Sequence, residues 1–212
     1  YITPNPQEKA DGAASDKVLA DMARSTWFGE GWKQSGGGGT AWDAITYDPA
    51  TDLVYVGTGN GSPWSHQMRS DGKGDNLFLS SILALKIDTG EYVWHYQTTP
   101  GDTWDYTAVQ HIMTADLTIN GQKRQVVGHF ARNGFFYSID RTNGRFIKAE
   151  KYVNDLNWTK GIDPKTGRPV ENPAARYDKT GKYFYSRQNP NGAHTWHSMS
   201  FNPQTGLVYI PI

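Results

Sequence analysis

From Ala44 onward, short β-branched and aromatic runs alternate with turn residues. The pattern predicts strands at Ala44–Asp48, Leu53–Thr58, Ser81–Asp88, Tyr92–Gln97, Ile112–Ile119, Arg124–Ala131, Phe135–Asp140, Tyr183–Ser186, Met199–Asn202 and Leu207–Ile210. Upstream, residues 1–14 are polar, and Ser15 is placed to cap a short helical pattern with Val18, Leu19, Met22 and Ala23 on one face. With almost no other helical signal, the expected class is all-β. A unit recurs along the strands: a strand ends in Asp or Asn, a tight turn follows, and an aromatic or aliphatic strand resumes. Its copies are Tyr47-Asp48-Pro49-Ala50-Thr51-Asp52, Ile87-Asp88-Thr89-Gly90, Ile139-Asp140-Arg141-Thr142-Asn143-Gly144 and Phe201-Asn202-Pro203-Gln204-Thr205-Gly206. Their spacing of roughly 40–60 residues matches one four-stranded blade of a β-propeller. The strands suffice for about three blades, an incomplete ring with open edges. In the fullest copy, Ala84 to Trp94, the alanine and the tryptophan are expected to lock neighbouring blades. Asn154–Lys182, long and rich in Pro and Gly, is expected to be an insertion loop within a single propeller domain, 1–212.

Composition narrows this picture. Lys plus Arg and Asp plus Glu each number 21, so a partner that needs bulk positive charge, such as nucleic acid or an anionic membrane, is disfavoured. Eight Trp and twelve Tyr indicate a core built from rings. The absence of Cys removes disulfides, thiolate metal sites and a Cys nucleophile from this stretch. No apolar run is long enough to span a bilayer. The chain opens on Tyr1 and stops at Ile212 inside an apolar run, which suggests an internal piece of a longer protein.

Five segments carry candidate chemistry. Gly36-Gly37-Gly38-Gly39 precedes Thr40-Ala41-Trp42-Asp43: glycines let backbone approach a flat ligand, a hydroxyl can orient it and an indole can stack on it, although a flexible loop before a core tryptophan has the same sequence. In Gly57-Thr58-Gly59-Asn60-Gly61-Ser62-Pro63-Trp64, Asn60 offers an amide oxygen suited to a hard cation, or it simply makes a turn. Thr99 to Thr107 holds Asp102 and Asp105 around Trp104. A carboxylate there can act as a general base toward an alcohol hydroxyl, or both can cap turns. Arg132, before Asn133-Gly134-Phe135-Phe136-Tyr137, can hold carbonyl oxygens through paired N–H donors or form a surface ion pair. The last segment is Gly192-Ala193-His194-Thr195-Trp196-His197, whose two histidines lack the neighbours a typical zinc site needs.

Taken in order, GGGGTAWD, GTGNGSPW, GDTWDY and ARNGFFYSIDRTNG, framed by Trp27-Phe28-Gly29-Glu30-Gly31-Trp32-Lys33 and Ser200 to Pro211, resemble the pyrroloquinoline quinone (PQQ)-dependent alcohol dehydrogenases, most closely the quinohaemoprotein branch. The resemblance covers nearly the whole chain and implies part of an eight-bladed propeller. It implies that Trp42 forms the floor on which PQQ stacks, that Thr40 and Arg132 bond the cofactor, that Asn60 and Asp105 bind calcium, and that Asp105 is the catalytic base. Trp196 would be a further cofactor contact. Its neighbour Thr195 departs from the Asn common in relatives and reaches less far. Lanthanide-dependent relatives carry an extra aspartate two residues after the base, where this chain has Thr107, so calcium is implied.

The activity so implied is oxidation of a small alcohol to an aldehyde in the periplasm, with electrons passed to a cytochrome c. A calcium-binding glutamate and an adjacent-cysteine ring would lie before Tyr1, and a haem c domain, where present, after Ile212. The isolated piece is therefore expected to be inactive. Two other readings remain: a non-catalytic periplasmic scaffold, which has no use for Trp42, Asn60, Asp105 and Arg132 in this order, and a quinoprotein acting on another alcohol or a sugar.

Overall fold

The computed structural model describes all residues, Tyr1–Ile212. In chain order its strands are β1 (Gly37–Gly38), β2 (Ile45–Asp48), β3 (Leu53–Gly57), β4 (Gly61–Ser62), β5 (Ser81–Lys86), β6 (Tyr92–Gln97), β7 (Ile112–Ile119), β8 (Gln122–Phe130), β9 (Phe135–Asp140), β10 (Phe146–Lys151), β11 (Thr159–Ile162), β12 (Pro169–Glu171), β13 (Ser200–Asn202) and β14 (Leu207–Tyr209). Strands β2-β3-β5-β6 and β7-β8-β9-β10 form two four-stranded antiparallel meanders, while β1–β4, β11–β12 and β13–β14 pair as two-stranded ribbons. This is a partial β-propeller, with two complete blades.

The structure departs from the sequence pattern at several places. Tyr183–Ser186 is not a strand: Tyr183 and Tyr185 are exposed and no strand pairs with the segment, the Tyr185 carbonyl accepting only from Asn157 Nδ2. Short α-helical turns occur at Gly31–Ser35, His66–Ser70 and Tyr177–Thr180. Ser15 makes no side-chain cap. The segment after it changes from an α turn (Asp16–Val18) to a π turn (Leu19–Ala23), so that Leu19 and Ala23 are buried while Met22 faces out. Asn154–Lys182 contains the β11–β12 ribbon, whose turn Asp163-Pro164-Lys165-Thr166-Gly167 is a further copy of the recurrent unit.

Four of the recurrent turns share one device, while in the Ile87–Gly90 copy the Thr89 hydroxyl accepts from Glu91 N instead. The Asp48 carboxylate accepts from Ala50 N and Thr51 Oγ1, that of Asp140 from Thr142 N, and that of Asp163 from Lys165 N. Asn202 Oδ1 accepts from Gln204 N in the same way. A short acceptor at the end of a strand satisfies the N–H groups that the turn takes out of the ladder.

These turns close one end of the two blades, at the β2–β3, β5–β6 and β9–β10 connections. Strand alternation therefore sends every other connection to the opposite end: the approach to β2 (Thr40 to Ala44), the β3–β5 loop, the β6–β7 loop and the β8–β9 loop. All the chemistry-bearing segments of the first two blades thus emerge on one face.

The blades meet along an aromatic core that includes Tyr55, Trp94, Tyr96, Trp104, Tyr106, Phe135, Tyr137 and Trp158. Thr46 Oγ1 on β2 donates to the Ile112 carbonyl on β7 at 3.0 Å, joining the first strands of the two blades. At their far side Trp94 Nε1 donates to the Arg141 carbonyl at 3.1 Å, with the indole lying against Gly144, and Ala84 is fully buried opposite Trp94. The inter-blade lock expected from Ala84 and Trp94 is present.

Burial holds three histidines in the neutral form. Desolvation pushes His66, His95 and His129 down to about 4, with Arg176 and Arg69 adding to the effect at His66. A depressed folded-state value contributes stability above the unfolded value near 6.5 that is lost as pH falls toward 4, on the order of 1–3 kcal/mol per ring. Desolvation raises the Asp102 carboxyl, and raises that of Asp105 to about 6; both act in the opposite sense as pH falls. The expected net result is a denaturation midpoint that falls between about pH 6.5 and 4. Urea titration across that range checks it, and a flat midpoint would contradict it.

Candidate active site

The four glycines run through the left-handed region, with φ of 77°, 80°, 96° and 82°, a consecutive path that residues with side chains rarely follow. It lets Gly38 pair with Gly61 and lets Gly39 N donate to the Asn60 carbonyl at 2.9 Å. Gly59 lies against the Thr40 backbone, so the Thr40 and Asn60 segments are laid side by side. Asn60 Nδ2 donates to the Gly61 carbonyl at 3.1 Å, which leaves Oδ1 as the end free to accept. Trp42 stays 48% exposed, offering its indole to whatever covers this face.

The end of β3 ties this pair to the acidic loop. Gly57 N donates to the Ala44 carbonyl, Ala108 N donates to the Thr58 carbonyl at 3.0 Å, and a Cβ on Gly57 would strike the Ala108 backbone. Within the loop the two aspartates divide their roles. Asp102 is fully buried and its Oδ1 accepts from Trp104 N and Tyr106 N, each at 3.1 Å, the capping role open to either carboxylate in the sequence. Asp105, the residue those two N–H groups bracket, has φ of 68° and turns its carboxylate away from the cap. Trp104 and Tyr106 hold the loop from beneath, stacking on one another and meeting Trp158.

Asp105 meets Arg132. Arg132 Nη1 donates to Asp105 Oδ2 at 3.2 Å and to the Asp105 carbonyl at 3.1 Å. The same nitrogen reaches the Pro190 carbonyl at 3.1 Å, and Nη2 donates to Thr195 Oγ1 at 2.8 Å. The ion pair is mostly buried, and desolvation outweighs the pull of Arg132 and raises the Asp105 carboxyl to about 6, with Asp102 adding to the rise. Thr195, which replaces the longer Asn, is therefore spent on Arg132. Trp196 is 56% exposed and stacks on His197 at 4.5 Å rather than on the Asp105–Arg132 pair. Thr107 is buried and its hydroxyl accepts from Gln110 Nε2 at 3.1 Å.

The donor set fits a planar, oxygen-rich group with an oxygen-liking cation. It comprises an open indole face, a hydroxyl, an amide oxygen, a carboxylate and a guanidinium whose buried Nε has no partner. Asn60 and Asp105 are too few to satisfy calcium, which takes six to eight oxygens, and no three His, Asp or Glu side chains here could hold an ion on their own. The remaining ligands have to come from the cofactor and from outside these residues.

Comparison with known proteins decides the family. The profile of the glucose/ethanol/alcohol dehydrogenase β-propeller domain, the PQQ family, matches residues 17–153. The chain belongs to that family. This PQQ-family chain is 57% identical over 212 residues to the dehydrogenase subunit of alcohol dehydrogenase (quinone) from Komagataeibacter europaeus, matching all of this chain and 29% of that protein. The solved structure of quinohemoprotein alcohol dehydrogenase ADHIIG from Pseudomonas putida superposes with a TM-score of 0.92 at 51% identity, covering 99% of this chain and 30% of that one. That from Comamonas testosteroni gives 0.89 at 50% identity, again over 99% and 30%. The chain thus spans less than a third of the length of these relatives. No helix in it is long and apolar enough to cross a membrane.

The sequence reading missed the residues that brace the site: Arg69, Arg176 and the Trp158 ring. Arg69 is fully buried, and Arg176 places its guanidinium 4.6 Å from the Trp104 ring and donates to the Gly101 carbonyl. No local pattern marks them, because the contacts that place them at the site, Arg69 to the Asp102 carbonyl, Arg176 to the Gly101 carbonyl and Trp158 Nε1 to the Asn133 carbonyl, join segments distant in sequence.

Proposed function

We propose that this chain supplies the base, part of the calcium site and one wall of the cofactor site of a PQQ-dependent alcohol dehydrogenase. The enzyme would oxidise small alcohols to aldehydes in the periplasm and pass electrons to a cytochrome c, with haem c carried by the whole protein as in the quinohemoproteins. One observation carries the reading: a carboxylate pushed up to about 6 and paired with a buried guanidinium emerges on the same face as Trp42 and Asn60.

When bound, PQQ would supply a hydride acceptor and calcium the Lewis acidity that makes it a better one. Trp42 would form the floor, Thr40 and Arg132 would bond cofactor oxygens, and Asn60 Oδ1 with Asp105 would hold the cation. Trp196 would join only by swinging from its stack on His197. Asp105 takes the proton of the alcohol hydroxyl, and Arg132 fixes its orientation through two hydrogen bonds to the same residue. With the Thr107 hydroxyl already bonded to Gln110, that position adds no third carboxylate, which suits a divalent rather than a trivalent ion.

The direct test is dye-linked ethanol oxidation by the full-length protein reconstituted with PQQ and Ca²⁺. Turnover that requires both and is lost on chelation is expected, and no PQQ-dependent oxidation of any short alcohol would refute the reading. The base must be ionised to act, so kcat/KM should rise with pH on the acid side. A cation beside Asp105 favours its charged form, which moves the inflection of the loaded enzyme below the value of about 6 set by burial. A pH–rate profile with no acid limb, or with its inflection well above that value, would contradict Asp105 as the base.

A further inference from the structure

Two loops must keep a fixed relation for this site to work: the Asn60 loop and the Asp105 loop, which also meet where Ala108 N donates to the Thr58 carbonyl and His66 N to Thr103 Oγ1. Arg69, on the turn His66–Ser70, sits between them with no exposed surface. Its Nη1 donates to the Pro63 carbonyl at 2.7 Å and to the Trp64 carbonyl at 2.9 Å, on the Asn60 side. Its Nη2 donates to the Asp102 carbonyl at 2.5 Å, on the Asp105 side, and Nε donates to Asn76 Oδ1 at 3.0 Å. Asn76 Nδ2 passes the connection on to the Thr26 carbonyl and Ser70 Oγ. The guanidinium lies directly against Gly61, where any Cβ would collide with it, so the residue after Asn60 is placed by the same group.

We propose that Arg69 is a positioning residue of the reaction: its guanidinium sets the Asn60 carbonyl donor and the Asp105 base at a common distance from the cation and substrate. The proposal rests on the PQQ-dependent reading above. Burying a guanidinium is costly, and desolvation lowers Arg69 to about 10. A scaffold needing only packing would be served by an apolar side chain of similar size. What the apolar side chain cannot do is bind three carbonyls from two loops at once, in the planar fork that only arginine presents. Lysine, a single ammonium at the end of a flexible stem, can reach one loop but not hold both.

The experiment compares the full-length parent with Arg69→Met, Arg69→Lys, Arg69→Ala and Gly61→Ala. The first readout is calcium-dependent PQQ binding, followed by quenching of tryptophan fluorescence. The second is steady-state kinetics at saturating PQQ and Ca²⁺. For Arg69→Met and Arg69→Lys the calcium concentration for half-saturation should rise at least about tenfold and kcat should fall at least about tenfold, with KM for the alcohol within about twofold, because the substrate pocket itself is untouched. Guanidinium ion added to Arg69→Ala should restore part of both, which a mere packing defect would not allow. Gly61→Ala retains the charge and displaces it, so it should shift both readouts the same way even if the Arg69 variants fail to fold.

A folded Arg69→Met with calcium half-saturation and kcat within twofold of the parent would overturn the proposal while leaving the parent's activity intact. So would a Gly61→Ala protein indistinguishable from the parent. A parent that binds no PQQ and oxidises no alcohol would overturn this inference together with the reading it rests on.

Discussion

Asp105→Asn in the full-length protein is expected to lower kcat by about 10²–10⁴-fold, the range supplied by a positioned general base. The substitution keeps the shape of the side chain and one oxygen, and removes the basicity. Arg132 retains its hydrogen bonds to the Asp105 and Pro190 carbonyls and to Thr195, so the guanidinium stays where it is. The loop geometry is set by Asp102, which accepts from Trp104 N and Tyr106 N, and does not depend on the Asp105 carboxylate. Loss of turnover should therefore come without loss of the native circular dichroism spectrum, and the residual rate should lack the acid limb of the parent's pH profile. Steady-state assays with a dye acceptor between pH 5 and 9 measure both, and a variant keeping more than about a tenth of the parent's kcat would remove Asp105 from the chemistry.

Trp94→Ala is expected to destabilise the blade pair by about 3–5 kcal/mol, the usual range for truncating a large buried ring. The indole packs on Tyr55 at 5.5 Å and on the face of Gly144, and it donates to a carbonyl in the neighbouring blade. That carbonyl is also bonded by the Tyr55 hydroxyl, so the loss comes mainly from packing between blades and little from an orphaned acceptor. Trp94→Phe should accordingly recover most of it. The partner position makes a second, coupled measurement possible. At Gly144 an added Cβ meets the indole, and the residue holds φ of 73°. Gly144→Ala should thus be costly in the parent but cost only about 1 kcal/mol, the backbone part, in a Trp94→Ala background. Denaturant titration of the four proteins reads this out, and strictly additive costs would show that the ring and the glycine do not form the lock.

The recurrent turns and the strand runs were legible because both depend on local chemistry. Asp48, Asp140, Asp163 and Asn202 cap turns within three residues of themselves, and alternation along β7 and β9 follows directly from which face of each strand is buried. The Asp163 copy was overlooked because the polar residues around it hide a ribbon of only two short strands. Tyr183–Ser186 has the residues of a strand and no partner to pair with, and an unpaired strand is not stable however well its side chains suit one.

The amino-acid sequence by itself determined the all-β class, the blade turns and the ordered motifs that place the chain in the PQQ family, since each is written in a short stretch. Only the tertiary structure decided that Asp102 is the cap and Asp105 the outward carboxylate, that Arg132 pairs with it, and that Arg69 joins two loops from within. Both aspartates could cap locally and only the folded loop separates them, the Arg132 and Arg69 contacts join segments 27 and 33 residues apart, and desolvation, which raises Asp105 to about 6, exists only once the chain has closed around it.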